Sequence, residues 1–131
     1  MQLPFVTTPI QLRFSDVDML GHVSNSLYPR YFDLGRIDFY TAIDDSEPKP
    51  VSVVRTVSYE MFHEVRLEDK PELLTWCREI DGKRMYIAHE LYVGSKLCCS
   101  GDVLSLGFDP KTRKTCSFPA HWAPSAEPPR P

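Results

Sequence analysis

The chain has 131 residues, 42% of them hydrophobic and 25% charged, with a formal net charge of -3 at pH 7. That length suits one domain with its own core, and the acidic balance argues against nucleic acid as a partner. No apolar run is long enough to span a bilayer, and the first ten residues combine Pro4 and Pro9 with no basic segment, so neither a membrane partner nor a signal peptide is expected and the cytoplasm is the expected location.

In chain order, residues 11–15 read as a short first strand, and residues 16–21 as a turn-forming segment. Ser24 or Asn25 is suited to cap a helix, and Pro29 suits a first helical turn, where its missing N–H costs nothing. The main helix is predicted from about Pro29 to Ile43. Tyr28, Phe32, Gly35, Phe39 and Ala42 recur at steps of three and four, giving one apolar face. Gly35 in that face costs about 1 kcal/mol against Ala, and the expected return is a close approach to a sheet. Residues 44–48 end the helix.

Everything beyond reads as strand. Residues 51–62 are rich in β-branched side chains, with Val53, Val57, Tyr59 and Met61 on one face. Residues 73–80 and 85–93 follow, joined by Asp81-Gly82, a hairpin signal. Gly94-Ser95 leads to residues 96–108, where Gly101 is read as a bulge or bend. A turn at 109–112 leads to a short edge strand through Cys116. Cys77, Cys98, Cys99 and Cys116 make no C-x-x-C pair and no ligand spacing with histidine, so they read as reduced, small apolar residues, and no metal site is expected. Residues 119–131 hold five prolines. They are assigned to a tail that drapes on the surface or stays disordered, with Trp122 pinning its first part, beside a domain of residues 1–118.

The chemistry concentrates between the first strand and the helix, where Asp16, Asp18, Gly21 and His22 precede the helix start. The N–H groups of a first helical turn are free donors, able to polarise a thioester carbonyl and hold an oxyanion. A nearby carboxylate can activate water or attack directly. On residue types alone, a D-x-D in such a turn more often just caps backbone donors than catalyses. No serine nucleophile elbow and no phosphate-cradling glycine loop is present.

The register of Asp16, Asp18, Gly21, His22, Val23, Asn25, Tyr28 and Arg36 resembles the signature of the 4-hydroxybenzoyl-CoA thioesterase-like family: D-x-D, two residues, G-H-V-N-N, a Tyr, then a helical Arg. The resemblance implies an α+β hot-dog fold, a curved antiparallel sheet of five to six strands around one central helix. It implies an acyl-thioester hydrolase that uses no cofactor, with acyl-CoA or an acyl-carrier thioester as substrate and Asp18 as general base or nucleophile. Asp16 is then the structural member of the pair. His22, Val23, Ser24, Asn25 and Tyr28 are expected around the substrate, with backbone N–H groups from about Val23 to Ser26 as the oxyanion site. Lys83 and Arg84 are expected at the phosphates of CoA. Arg36 is expected to pair with Asp33 or Asp38, and His89 to be a core residue. Ser24 departs from the family's first Asn, and Glu68 from its Gly before Asp69. One helix leaves sheet surface and edge uncovered, so a homodimer or a dimer of dimers is expected. The rival readings are a hydratase or dehydratase on the same fold, and a non-catalytic acyl-CoA-binding protein.

Overall fold

The hairpin signals act as their chemistry dictates. The computed structural model, which describes residues 1–131, turns the chain back at Asp81-Gly82 and at Gly94-Ser95. These turns join β3 (Glu72–Asp81), β4 (Arg84–Val93) and β5 (Lys96–Asp109) into a meander. β2 (Val51–Met61) pairs with the far side of β5, β1 (Phe5–Pro9) with the near side of β3, and the two-residue β6 (Lys114–Thr115) with the end of β5. Every pairing is antiparallel, and the main order is β1-β3-β4-β5-β2. Register shifts at Val54/Thr56, Cys77/Glu79 and Leu91/Tyr92 add local bend and twist.

The helix α1 (Tyr28–Ala42) lies in the hollow of this sheet, with Pro29 in its first turn. Its buried stripe is Tyr28, Tyr31, Phe32, Gly35, Arg36 and Phe39. Phe32 packs with Leu73, Leu91 and Val103, and Phe39 with Met85, Ile87 and Trp122. Two glycines set the helix-to-sheet distance. A Cβ on Gly35 would meet Thr75 Oγ1 and stand 2.7 Å from Leu73 Cδ2; one on Gly101 would stand 2.5 Å from Phe32 Cε2. Gly101 is therefore a close-approach position. The register runs through it unbroken, opposite His89 and Tyr59, so the expected bulge is absent.

One expectation changes, and between the two readings of the tail draping holds, with Trp122 as the pin. The first strand is β1 at Phe5–Pro9, not residues 11–15. Val6 to Thr8 is a β-branched run, and Pro9 ends an edge strand, where a missing N–H is tolerated. Residues 14–16 instead form a 3-10 turn, because the Asp16 carboxylate accepts the Arg13 N–H at 3.2 Å and holds the chain in a bend. The tail is also tied down. Trp122 is buried and donates from Nε1 to Asp45 Oδ2 at 2.7 Å; that bond leads the forces holding the Asp45 carboxyl down at about 2. Ser125 donates its N–H to Cys77 O at 2.9 Å, and Arg130 pairs with Glu90 at 2.9 Å while lying over Trp76. No helix is long and apolar enough to cross a membrane.

Candidate active site

The loop between β1 and α1 is built on Asp16. The residue is 1% exposed. Oδ2 accepts from the Tyr31 hydroxyl at 2.9 Å and from the Arg13 N–H, Oδ1 pairs with Arg13 at 3.2 Å, and the backbone carbonyl accepts from Ser24 N–H at 2.9 Å. Asp16 thus fastens the loop to the first turn of the helix. Burial, then its bond to Asp16, drives the Tyr31 hydroxyl far above its ordinary range, so it stays a donor.

Asp18 is arranged differently. Its Oδ1 accepts the N–H groups of Leu20 at 2.9 Å and His22 at 3.3 Å, an Asx-type turn closed by Asp18 N–H to His22 O at 2.8 Å. Its Oδ2 has no hydrogen-bond partner and its side chain is exposed. One oxygen caps the loop and orients the carboxylate; the other is open. The capping reading thus holds for Oδ1, and Oδ2 is left free of the loop.

The segment after Asp18 is pinned by a short antiparallel ladder. His22 bridges Arg66, and Val23 N–H donates to Val65 O at 2.8 Å. This brings the end of β2 and its following loop against Asp18. A cleft of about 230 Å³ results. Asp18, His22, Val23, Asn25 and Tyr28, five of the residues expected from sequence, all line it. Met61, Phe62, His63 and Glu64 form the opposite wall. Burial is the leading cause that pushes the Tyr28 hydroxyl up to about 12, so it stays protonated as wall. Across Asp18 lies a second, larger hollow of about 700 Å³, walled by Phe14, Met19, Leu67 and Arg66.

The free backbone donors of this turn are fewer than expected. Val23 N–H is spent on Val65 and Ser24 N–H on Asp16. Leu27 N–H to Ser24 O is the first bond of the turn Asn25–Leu27, which runs into α1. That leaves the Asn25 and Ser26 N–H groups ahead of the first carbonyl. The Tyr59 hydroxyl steadies this turn by donating to Asn25 O at 3.1 Å. Ser24 itself lies outside the cleft lining. Lys83 and Arg84 do not join Asp18 within the protomer. They follow β3, whereas the site meets the loop before it, and a 10-residue strand separates the two ends by roughly 30 Å.

Beneath the helix, Arg36 pairs with Asp33, and its Nη1 reaches His89 Nε2 at 3.1 Å. His89 Nδ1 lies 2.9 Å from Thr75 Oγ1, and Phe32 stacks on the ring at 4.7 Å. An arginine can only donate, so Nε2 accepts and Nδ1 carries the proton to Thr75. This assigns Arg36 and His89 to the core, as expected.

The residues that sequence reading missed are Glu64, His63, Phe62 and Met61. Glu64 lies 42 positions after His22 in the chain, and only the ladder of residues 22–23 with 65–66 reveals the pairing. His22 Nε2 is 2.5 Å from Glu64 Oε2, while Arg66 holds the other oxygen at 3.1 Å.

One helix held in one curled antiparallel sheet, with the loop before the helix carrying an open carboxylate, defines the hot-dog class. The chain belongs to the thioesterase-like superfamily, whose family model matches residues 12–124. No curated protein sequence matches it. Solved structures share its fold. A predicted thioesterase from Bacillus stearothermophilus superposes with a TM-score of 0.76 at 20% identity, covering 88% of this chain and 89% of that one. A thioesterase from Thermus thermophilus, complexed with coenzyme A and Zn, gives 0.77 at 18%, covering 90% and 87%. A mutant 4-hydroxybenzoyl-CoA thioesterase, complexed with 4-hydroxybenzoyl-CoA, gives 0.75 at 14%, covering 88% and 94%.

Proposed function

We propose that this protein hydrolyses an acyl thioester, with CoA as the thiol carrier, and that Asp18 is its reactive carboxylate. The observation that carries this reading is the divided carboxylate. Oδ1 is held by two backbone donors, and Oδ2 is open where two hollows meet. A thioester drawn across Asp18 can send its acyl and thiol arms to either side. Asn25 and Ser26 N–H groups are the donors for the developing oxyanion. A thiolate leaves readily, so Oδ2 needs only to attack the carbonyl or to deprotonate water. His22, Val23, Asn25 and Tyr28 wall the reacting group. The family membership and the coenzyme A bound in the Thermus protein support a CoA ester over a carrier-protein thioester.

The functional unit is a homodimer. β2 is an 11-residue edge strand whose Val51, Val53, Val54 and Val57 are exposed, and its end delivers Met61 to Glu64 to the cleft. Pairing two copies along β2 would cover that edge and extend the acyl site along the helix. Lys83 and Arg84, being remote within a protomer, are proposed for phosphates of CoA bound at a neighbouring protomer's site.

The test is thiol release over a panel of acyl-CoA esters, with Asp18→Asn beside the wild type. Asparagine keeps an oxygen for the Leu20 and His22 N–H groups, so the loop should hold while the reactive oxygen is lost. The expected loss is at least ~100-fold, the lower end for a positioned acid–base group. Wild-type turnover in Asp18→Asn would refute the assignment.

A further inference from the structure

Glu64 enters the cleft from the loop after β2, with no role in the reading above. Four observations bear on it. His22 stands opposite Arg66 in the ladder, so Glu64, two residues before Arg66, is His22's diagonal neighbour on the same face. The backbone thereby brings the three side chains together. His22 Nε2 then lies 2.5 Å from Glu64 Oε2, a close contact between the ring nitrogen and the carboxylate. The Arg66 Nε and Nη2 atoms both hold Glu64 Oε1 at 3.1 Å, which fixes the carboxylate from behind. His22 Nδ1 meets no protein donor or acceptor, and His22 lines the cleft with Asp18.

We infer that Glu64 and His22 form a proton-transfer dyad for the hydrolytic water, with His22 Nδ1 taking the proton and Glu64 as the positioning residue behind it. The inference rests on the thioesterase reading, and it deepens it. With a separate base present, Asp18 is the group that attacks. Its Oδ2 bonds to the thioester carbonyl carbon and the C–S bond breaks, giving a thiolate and an acyl–Asp18 anhydride. A water loses one proton to Nδ1 as its oxygen bonds to the acyl carbon. The anhydride C–O bond breaks, Asp18 returns as carboxylate and the acid departs. The proton on His22 passes to the thiolate through solvent. One thioester and one water give one acid and one thiol, with no oxidant or reductant involved. Arg66 cannot serve as the base, because a guanidinium stays protonated; it acts on Glu64.

The experiment uses the full chain and the most rapidly cleaved member of the acyl-CoA panel. Glu64→Gln retains an acceptor beside Nε2 and should keep the wild-type melting temperature. It is expected to lower kcat about 10-fold with KM little changed, a share of the ~10²–10⁴ that a positioned acid–base group contributes. His22→Ala should lose ~100-fold or more, and the double variant should lose no more than His22→Ala alone. Added imidazole should restore part of the rate of His22→Ala and none of that of Asp18→Asn. Wild-type kcat in Glu64→Gln, independent losses in the double variant, or no imidazole rescue would each overturn the dyad while leaving the Asp18 assignment standing. Full activity in Asp18→Asn, or no thiol release by the wild type on any ester, overturns the thioesterase reading and the dyad with it.

Discussion

Asp16 and Asp18 show how two identical side chains, two residues apart, are given different tasks by their surroundings. Asp16 is enclosed and every oxygen is engaged; Asp18 spends one oxygen on the loop and keeps the other. His89 is the sharper case of environment setting chemistry. Burial first, and the Arg36 charge second, hold its imidazole well below the ordinary histidine range. In the unfolded chain it titrates near its usual value of about 6.5. Above that pH neither state binds the proton and the full stability is present. Below it the unfolded chain binds a proton that the folded protein refuses, so this residue's share of stability falls by about 1.4 kcal/mol per pH unit until the folded value is reached. Urea denaturation between pH 7 and 5 should show this slope. His89→Gln keeps an oxygen for Arg36 and an N–H for Thr75, and should make the slope shallower by about one proton. An unchanged slope would place the titration elsewhere.

At the scale of elements, the helix and the meander were legible because their signals are local. Two glycine turns mark β3, β4 and β5, and Pro29 marks the first turn of α1. β1 was misplaced because Arg13-Phe14-Ser15 looks extended until the Asp16 side chain bends it, a contact that periodicity does not encode. The sequence reads Gly35 as a close approach, which it is, and Gly101 as a bulge or bend, where it is instead the seat of Phe32. The site was half legible for the same reason. Its Asp18 side follows a contiguous motif, while its Glu64 side depends on a ladder between distant segments. Gly35→Ala tests the packing reading. Propensity alone predicts a gain of about 1 kcal/mol in a helix interior. The added methyl would instead collide with Thr75 Oγ1 and crowd Leu73, both fully buried. Overpacking should win, for a net loss of about 1–3 kcal/mol in chemical denaturation. A more stable Gly35→Ala would mean the helix has room to lift.

For the whole molecule, the question is why one face and one edge are left apolar. The tail meets the outer face of β3 and β4, where Arg130 lies on Trp76 beside Leu74, Ala88 and Tyr92. The outer edge of β2 has no strand beside it. Long, apolar, unpaired edges invite strand addition, and a chain that left this one open would be prone to aggregate. A symmetric pairing of two β2 strands removes both edges at once. It also ties association to activity, because the strand that would pair is the one whose end places Met61, Phe62, His63 and Glu64 against Asp18. Val53→Lys with Val57→Lys puts two charges on that edge at side chains already 39% exposed in the protomer, so the fold itself should survive. Sedimentation should show the wild type as a dimer or larger and the double variant as a monomer. Thiol release by the variant should fall with dissociation and recover as protein concentration is raised. A monomeric wild type, or a monomeric variant with undiminished turnover, would mean that one protomer carries the whole site.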